Sequence, residues 1–322
     1  MTDVGCTARF PVGGMLLVGA AHVDRIARSS VSFRPGASNP GVLRESIGGA
    51  SLNAAVALRS FGARVRLVSA RGGDAGAAAV IDELARHGIE DEAIVWLDRE
   101  TASYTAILDD TGELVAGVAD MAIYDMVTPR ALSRRHLREG LASASALLVD
   151  ANLSAPTLKA LCERTQGLRA AIAVSPEKVV RLREVAPHLD LVFLSLAEAR
   201  ALTGCHGPLG EIRAALSTLG VRRGVVTDGP RAVMVIDGTA AFHQRPASIT
   251  NVRDVTGAGD TLAAVTFLAY AGGHPLASAV RLGLAASALR ITEGLGPETA
   301  SRAARIAKAL PPALPFIEDP VA

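Results

Sequence analysis

The chain has 322 residues, about twice the ~150 expected of one domain, so one large α/β domain with an appendage or two ordinary domains would fit. Hydrophobic residues make up 49% and charged residues 20%, which excludes disorder and leaves material for a sizeable core. The 33 Lys+Arg nearly cancel the 32 Asp+Glu, for a net charge of +1. A chain this balanced has no general pull toward nucleic acid or anionic membrane, so phosphate chemistry has to come from a local site.

Missing patterns remove further classes. No apolar run approaches the ~18 residues of a membrane-spanning helix. Met1 to Gly5 has no basic stretch ahead of an apolar one, which argues against a secretory signal. Cys6, Cys162 and Cys205 are few, odd in number and widely spaced, which suits reduced thiols in the cytoplasm. Cys205-His206 looks like a fragment of a zinc site, but no second Cys or His stands at ligand spacing. A buried thiol beside a loop histidine is the better reading. The three lysines, Lys159, Lys178 and Lys308, do not follow glycines, so a Walker P-loop is excluded. Patterns of the G-x-G-x-x-G, G-x-S-x-G and H-E-x-x-H types are absent as well.

In chain order, Met15 to Ala21 reads as a buried strand leading to His22-Val23-Asp24. Residues 25–47 carry Pro35, Gly36, Pro40 and Gly41, which predicts extended segments joined by turns outside the core. Gly48-Gly49 opens a helix over 50–61, closed by Gly62, then a strand at 65–70 and a helix at 75–87. Such alternation argues for a parallel sheet. Residues 94–124 interrupt it, with strands at 103–108 and 113–118 around Asp109-Asp110-Thr111-Gly112. The two interruptions are expected to form a small β lid on one α/β domain spanning residues 1–322. Strands are then predicted near 146–149, 171–174, 191–194 and 224–227, with helices at 155–165, 177–185, 196–203 and 209–219. A hairpin over 233–243, turning at Asp237-Gly238, precedes helices at 258–271, 275–293 and 300–310.

The sharpest chemical signal is Asp254-Val255-Thr256-Gly257-Ala258-Gly259-Asp260 ahead of an apolar helix. Small residues let the backbone approach a ligand, and unpaired N–H groups at the helix start form an anion site without lysine. Asp260, in the first turn, can take a proton from a substrate hydroxyl beside a transferring phosphoryl group, or it simply caps the helix. Gly48-Gly49-Ala50-Ser51-Leu52-Asn53 is the second constellation. Asn53 offers a donor and an acceptor to hydroxyl groups, or a helix-start hydrogen bond. Asp24, at the carboxyl end of the first strand, lies where parallel sheets bind ligands.

Together the two constellations resemble the ribokinase-like, or phosphofructokinase-B, carbohydrate kinases. Gly48-Gly49, Asn53, Phe61-Gly62 and Gly72-Gly73-Asp74-Ala75-Gly76 are similar to the family's N-terminal pattern, and Asp254 to Asp260 to its C-terminal one. The resemblance covers about residues 15–295. It implies a Rossmann-like α/β/α domain with a β lid and ATP-dependent phosphorylation of a hydroxymethyl group on a sugar or nucleoside. It implies Asp260 as base, with Gly257, Ala258 and Gly259 as anion hole. Asp24, Gly48, Gly49 and Asn53 are implied as sugar ligands, Thr227 and Gly229 as the start of a nucleotide loop, and Glu198 near Mg2+. A monovalent cation, K+, is implied beside Asp254–Thr256. Ser195, Ser175 and Ala232 depart from the family's usual asparagine, aspartate and glycine, which leaves open a ligand-binding protein that has lost transfer. Three lid stretches, 38–41, 101–104 with 109–113, and 119–121, resemble the pseudouridine kinase subfamily, with Asp150–Ser154 a weaker match. They imply pseudouridine as leading substrate, ahead of ribose or another nucleoside, though shared lid scaffolding would give the same match. Tyr104 stacks on a base or is an ordinary strand tyrosine. A lid with open edges is also expected to pair with a second copy.

Overall fold

The computed structural model describes residues 14–316; the readings made at Met1–Gly5 and Cys6 lie outside them. In chain order, β1 (Met15–Val18) enters the core, β2 (His22–Ser29) and β3 (Gly41–Gly48) leave it, and α1 (Ala50–Ser60) returns. There follow β4 (Val65–Val68), β5 (Ala70–Arg71), α2 (Ala75–Arg86), β6 (Glu90–Asp91) and β7 (Ile94–Val95). A second excursion comprises β8 (Ser103–Leu108) and β9 (Leu114–Asp120). Next come α3 (Arg135–Ser143), β10 (Ala146–Asp150), α4 (Ala155–Arg164), β11 (Leu168–Ile172) and α5 (Pro176–Val179). The alternation continues with β12 (Leu191–Ser195), α6 (Leu196–Thr203), α7 (Leu209–Thr218) and β13 (Arg223–Thr227). A hairpin of β14 (Val233–Asp237) and β15 (Ala240–Gln244) precedes α8 (Ala258–Ala271), α9 (Leu276–Thr292), α10 (Thr299–Ala309) and β16 (Leu314–Pro315).

The main sheet has ten strands in the order β16-β15-β14-β13-β12-β11-β10-β1-β4-β6. It is parallel from β13 to β6 and antiparallel beyond β13. Its central strands are apolar throughout because helices cover both faces. Successive side chains alternate: Met15 and Leu17 enter one core with residues of α1, α8 and α9, while Leu16 and Val18 enter the other with residues of α3, α4, α6 and α7. The result is the expected α/β/α layering. Helix α8 is apolar on all sides and buried from Thr261 to Ala269, as a helix between a sheet and a second helix must be.

The two interruptions combine into a separate four-stranded sheet, β3-β2-β8-β9. Asp109 Oδ1 accepts the N–H groups of Thr111, Gly112 and Glu113, which closes the β8–β9 turn. At its root, Asp74 caps α2 through the Ala77 N–H at 2.9 Å and also accepts the Thr101 N–H and hydroxyl at 2.8 and 2.6 Å.

Three local expectations need correction, and one helix is new. Cys205, read as a buried thiol, is half-buried. The helix over 177–185 is one short α-helical turn followed by 3₁₀ turns. Its buried residues Val179, Leu182 and Val185 recur every three positions, the period of the tighter helix. The strand near 171–174 ends at Ile172, and Val174 then adopts a positive φ of 73°. The helix α3 was not anticipated; Leu137 and Leu141 anchor it at a four-residue spacing.

Candidate active site

Strand β1 has β10 on one side and β4 on the other, and the chain reaches them by crossovers that depart in opposite directions. Crevices at such a switch point, beyond the carboxyl ends of the strands, are where open α/β sheets hold ligands. Here Asp150, at the end of β10, is wholly buried and knits the crevice floor. Its Oδ2 accepts the Ala20 N–H and the Ser51 hydroxyl, each at 2.7 Å. Its Oδ1 accepts the Asn152 N–H and side-chain amide, each at 2.9 Å. The Tyr124 hydroxyl donates to the Ala21 carbonyl at 2.9 Å and accepts its N–H at 3.0 Å, fixing the chain just before β2.

Gly49 sits at φ 114°, and a side chain there would run into the Ala20 carbonyl. That close approach lets α1 start directly over the end of β1. The Asp24 carboxylate occupies the space beside Gly48 that a side chain would fill, and its Oδ1 lies 3.1 Å from His22 Nε2. His22 Nδ1 is enclosed without a hydrogen-bond partner among the described residues. Tyr104 stands opposite Asp24 in the β2–β8 register, so both project from the same lid face, and its ring covers Gly117.

From the other side, α8 aims its N-terminus into this crevice. Gly257, at φ 74°, ends the loop in a left-handed turn, and the Asn53 amide packs where a side chain would project. Asn53 Nδ2 donates to Asp260 Oδ2 at 2.9 Å, joining the two sequence constellations across 207 positions. Of the expected anion-hole residues, Ala258 donates its N–H to the Val255 carbonyl at 3.2 Å, while its carbonyl accepts the Ser287 hydroxyl at 2.9 Å. The N–H groups of Gly257, Gly259 and Asp260 have no acceptor among the described residues. They form a compact set of donors at the positive end of the helix dipole. Asp260 stays partly open to the crevice, but dense protein around its carboxyl strips hydration and pushes its pKa up to about 7. Asn53 and Arg290 pull that value down, and the charges of Asp150 and Glu198 push it up.

Beyond Gly259 opens a cleft of about 1120 Å³ lined by Thr227, Gly229, Ala258, Gly259 and apolar residues of α8 and α9. Its charged walls, Arg231 and Arg245, are basic. Asp260 therefore stands between this cleft and the crevice holding Asp24 and Asn53. Ser195 and Glu198 meet at the end of β12 in a full capping box. The Ser195 hydroxyl accepts the Glu198 N–H at 3.2 Å, and Glu198 Oε2 accepts the Ser195 N–H at 2.6 Å. Glu198 Oε1 is left unengaged among the described residues. No three metal-ligating side chains converge among the described residues. Sequence reasoning overlooked the bracing roles of Asp150 and Ser51. Asp24, expected at the carboxyl end of the first strand, lies inside the lid strand β2, whereas Asp150 ends the apolar strand β10, a signal the sequence did carry. Ser287 and Arg290 carried none.

A parallel sheet with a β lid and a carboxylate at a glycine-lined helix start beside a cleft fit a phosphotransferase of the sugar-kinase type. The chain belongs to the pfkB family of carbohydrate kinases, whose model matches residues 14–300. It is thus a kinase of a sugar or nucleoside. A carbohydrate kinase from Agrobacterium tumefaciens is 38% identical, with a TM-score of 0.83 over 93% of this chain and 98% of that one. Pseudouridine kinase from Escherichia coli is 26% identical over 86% of this chain and 90% of its own length. The structure of Arabidopsis thaliana ribokinase complexed with ribose and ATP is 18% identical. Its TM-score is 0.80, over 93% of this chain and 99% of that one, a likeness of fold.

Proposed function

We propose that the protein transfers the γ-phosphoryl group of ATP to the 5′-hydroxymethyl oxygen of a nucleoside, with pseudouridine as its substrate. The observation that carries the transfer is the Asn53–Asp260 hydrogen bond at 2.9 Å beside the open N–H groups of α8. Asp260 takes the hydroxyl proton as the new O–P bond forms and the bond to ADP breaks. The N–H groups of Gly257, Gly259 and Asp260 hold the charge spreading over the phosphoryl oxygens. Asp24, Gly48, Gly49 and Asn53 hold sugar hydroxyls, and Tyr104 covers the base from the lid. Thr227, Gly229 and Ser195 face the nucleotide. One free carboxylate oxygen on Glu198 fits a water-mediated contact to a magnesium ion arriving with the nucleotide, since Mg2+ usually keeps several waters. Bound there, the ion neutralises phosphate charge.

Support for pseudouridine comes from the lid residues 38–41, 101–104 and 109–113 and from the likeness to the Escherichia coli pseudouridine kinase. Scattered cysteines suit a cytoplasmic setting, and the exposed lid edges suit a homodimer. The deciding experiment measures ADP release with ATP, magnesium and a panel of pseudouridine, uridine, adenosine and ribose. Pseudouridine is expected to give the highest kcat/KM. Ribose in first place would defeat the substrate assignment alone, and no ADP with any acceptor would defeat transfer.

A further inference from the structure

Two loops meet behind the anion-hole turn, one running from Arg253 into α8 and one leaving α9 at Glu293. They are stitched by the Ile291 carbonyl, which accepts the N–H groups of Arg253 and Asp254 at 2.9 and 3.2 Å. A monovalent cation beside Asp254–Thr256, as the family resemblance implies, would need oxygens here to replace its hydration shell. The Ile291 carbonyl and the oxygens of Asp254 and Glu293 that point into this junction already face other partners. Asp254 Oδ1 accepts the Thr256 N–H at 2.8 Å, and its Oδ2 lies 4.0 Å from Arg290 Nη2. The Glu293 carbonyl accepts Arg253 Nη1 at 3.3 Å, and the Glu293 carboxylate is paired with Arg302. Two guanidinium groups thus occupy the negative, carbonyl end of α9, where a cation is favoured by the helix dipole. An added cation would be repelled by both.

We propose that Arg253 and Arg290 take the place of the monovalent cation, bracing the loop that carries Gly257 and making the protein independent of potassium. Both are positioning residues. Neither touches the reacting atoms, but Arg290 holds Asp254, and through the loop it sets the donors of the anion hole. The catalytic consequence rests on the kinase reading; the occupancy of the cation's place does not.

The test melts the full chain in potassium chloride and in tetramethylammonium chloride at equal ionic strength, and measures ADP release in both. The wild type is expected to show the same melting temperature in the two salts and rates within about twofold, because an ion that does not bind the folded state cannot stabilise it. The Arg253→Gln/Arg290→Gln double variant is expected to gain melting temperature with potassium but not with tetramethylammonium. Arg290→Gln alone should move the acidic limb of the pH–rate profile upward, since the Arg290 charge holds the Asp260 pKa down. Saturable stabilisation of the wild type by potassium, with a parallel gain in rate, would overturn the proposal. So would a double variant that ignores potassium. If no salt supports ADP release, the melting comparison still decides the cation question, and the kinase reading is what fails.

Discussion

At the scale of single residues, the site depends on one carboxylate kept in an unfavourable place. Burial raises Asp260 to about 7, which suits a base working near neutral pH. The rate should rise with pH along a limb near that value, because only the ionised form accepts a proton. Asp260→Asn removes the base, so kcat should fall by roughly 10²–10⁴, measurable by ADP release. Its stability effect has a definite sign. A carboxyl whose folded pKa lies above its unfolded value binds more protons when folded, so its contribution is greatest at low pH and is lost as pH rises toward 7. The asparagine variant should therefore melt higher than the wild type at pH 8, with the gap closing near pH 4. A gap that instead widens on acidification would mean that the carboxyl is not held as described.

At the scale of elements, two devices join helices to the site. Asp74 caps α2 and ties Thr101, at the root of β8, to the main body through three hydrogen bonds. Asp74→Ala should cost about 2–3 kcal/mol, more than a helix cap alone, because the Thr101 groups also lose a partner. Burial opposes ionisation of Asp74, yet the Thr101 and Ala77 bonds hold its pKa below the usual aspartate range. This stabilisation is present above the unfolded carboxylate range and is lost as pH falls through the folded pKa. Denaturant titration at pH 7 and pH 3 would show the wild-type advantage shrinking. The capping box of α6 is the second device. Glu198→Gln should raise the magnesium concentration for half-maximal rate, whereas Ser195→Asn, with a longer amide, should lower it by a worth of about 1 kcal/mol. Two unmoved midpoints would place the metal contact elsewhere.

At the scale of the whole molecule, the lid leaves two strand edges uncovered among the described residues. Its outer strands β3 and β9 are exposed almost along their whole length and carry Val42, Leu43, Leu114 and Val118 into solvent. Open strand edges with apolar side chains are normally covered, so light scattering should give twice the chain mass. Leu43→Lys with Val118→Lys should then yield monomers whose main body melts unchanged. A monomeric wild type would remove the lid from any role in assembly.

How much of this was legible depended on distance along the chain. The alternation of apolar strands with helices, the Asp109–Gly112 turn and the glycine-rich start of α8 are encoded within a few residues each, because periodicity and turn chemistry are local. The sequence therefore determined the layered α/β class, the lid, and Asp24, Asn53 and Asp260 as candidates. It could not show that Asn53 and Asp260 touch, since 207 positions separate them and only the packing of α1 against α8 closes that gap. The upward pKa of Asp260 is likewise a property of the surrounding atoms. Asp150 became the floor of the crevice only when β10 paired with β1, which brought its carboxylate against Ala20 and Ser51. Arg290 reaches Asp254 only because α9 packs against α8. Local chemistry is written residue by residue, but burial, charge partners and the meeting of remote loops exist only once the sheet order is set.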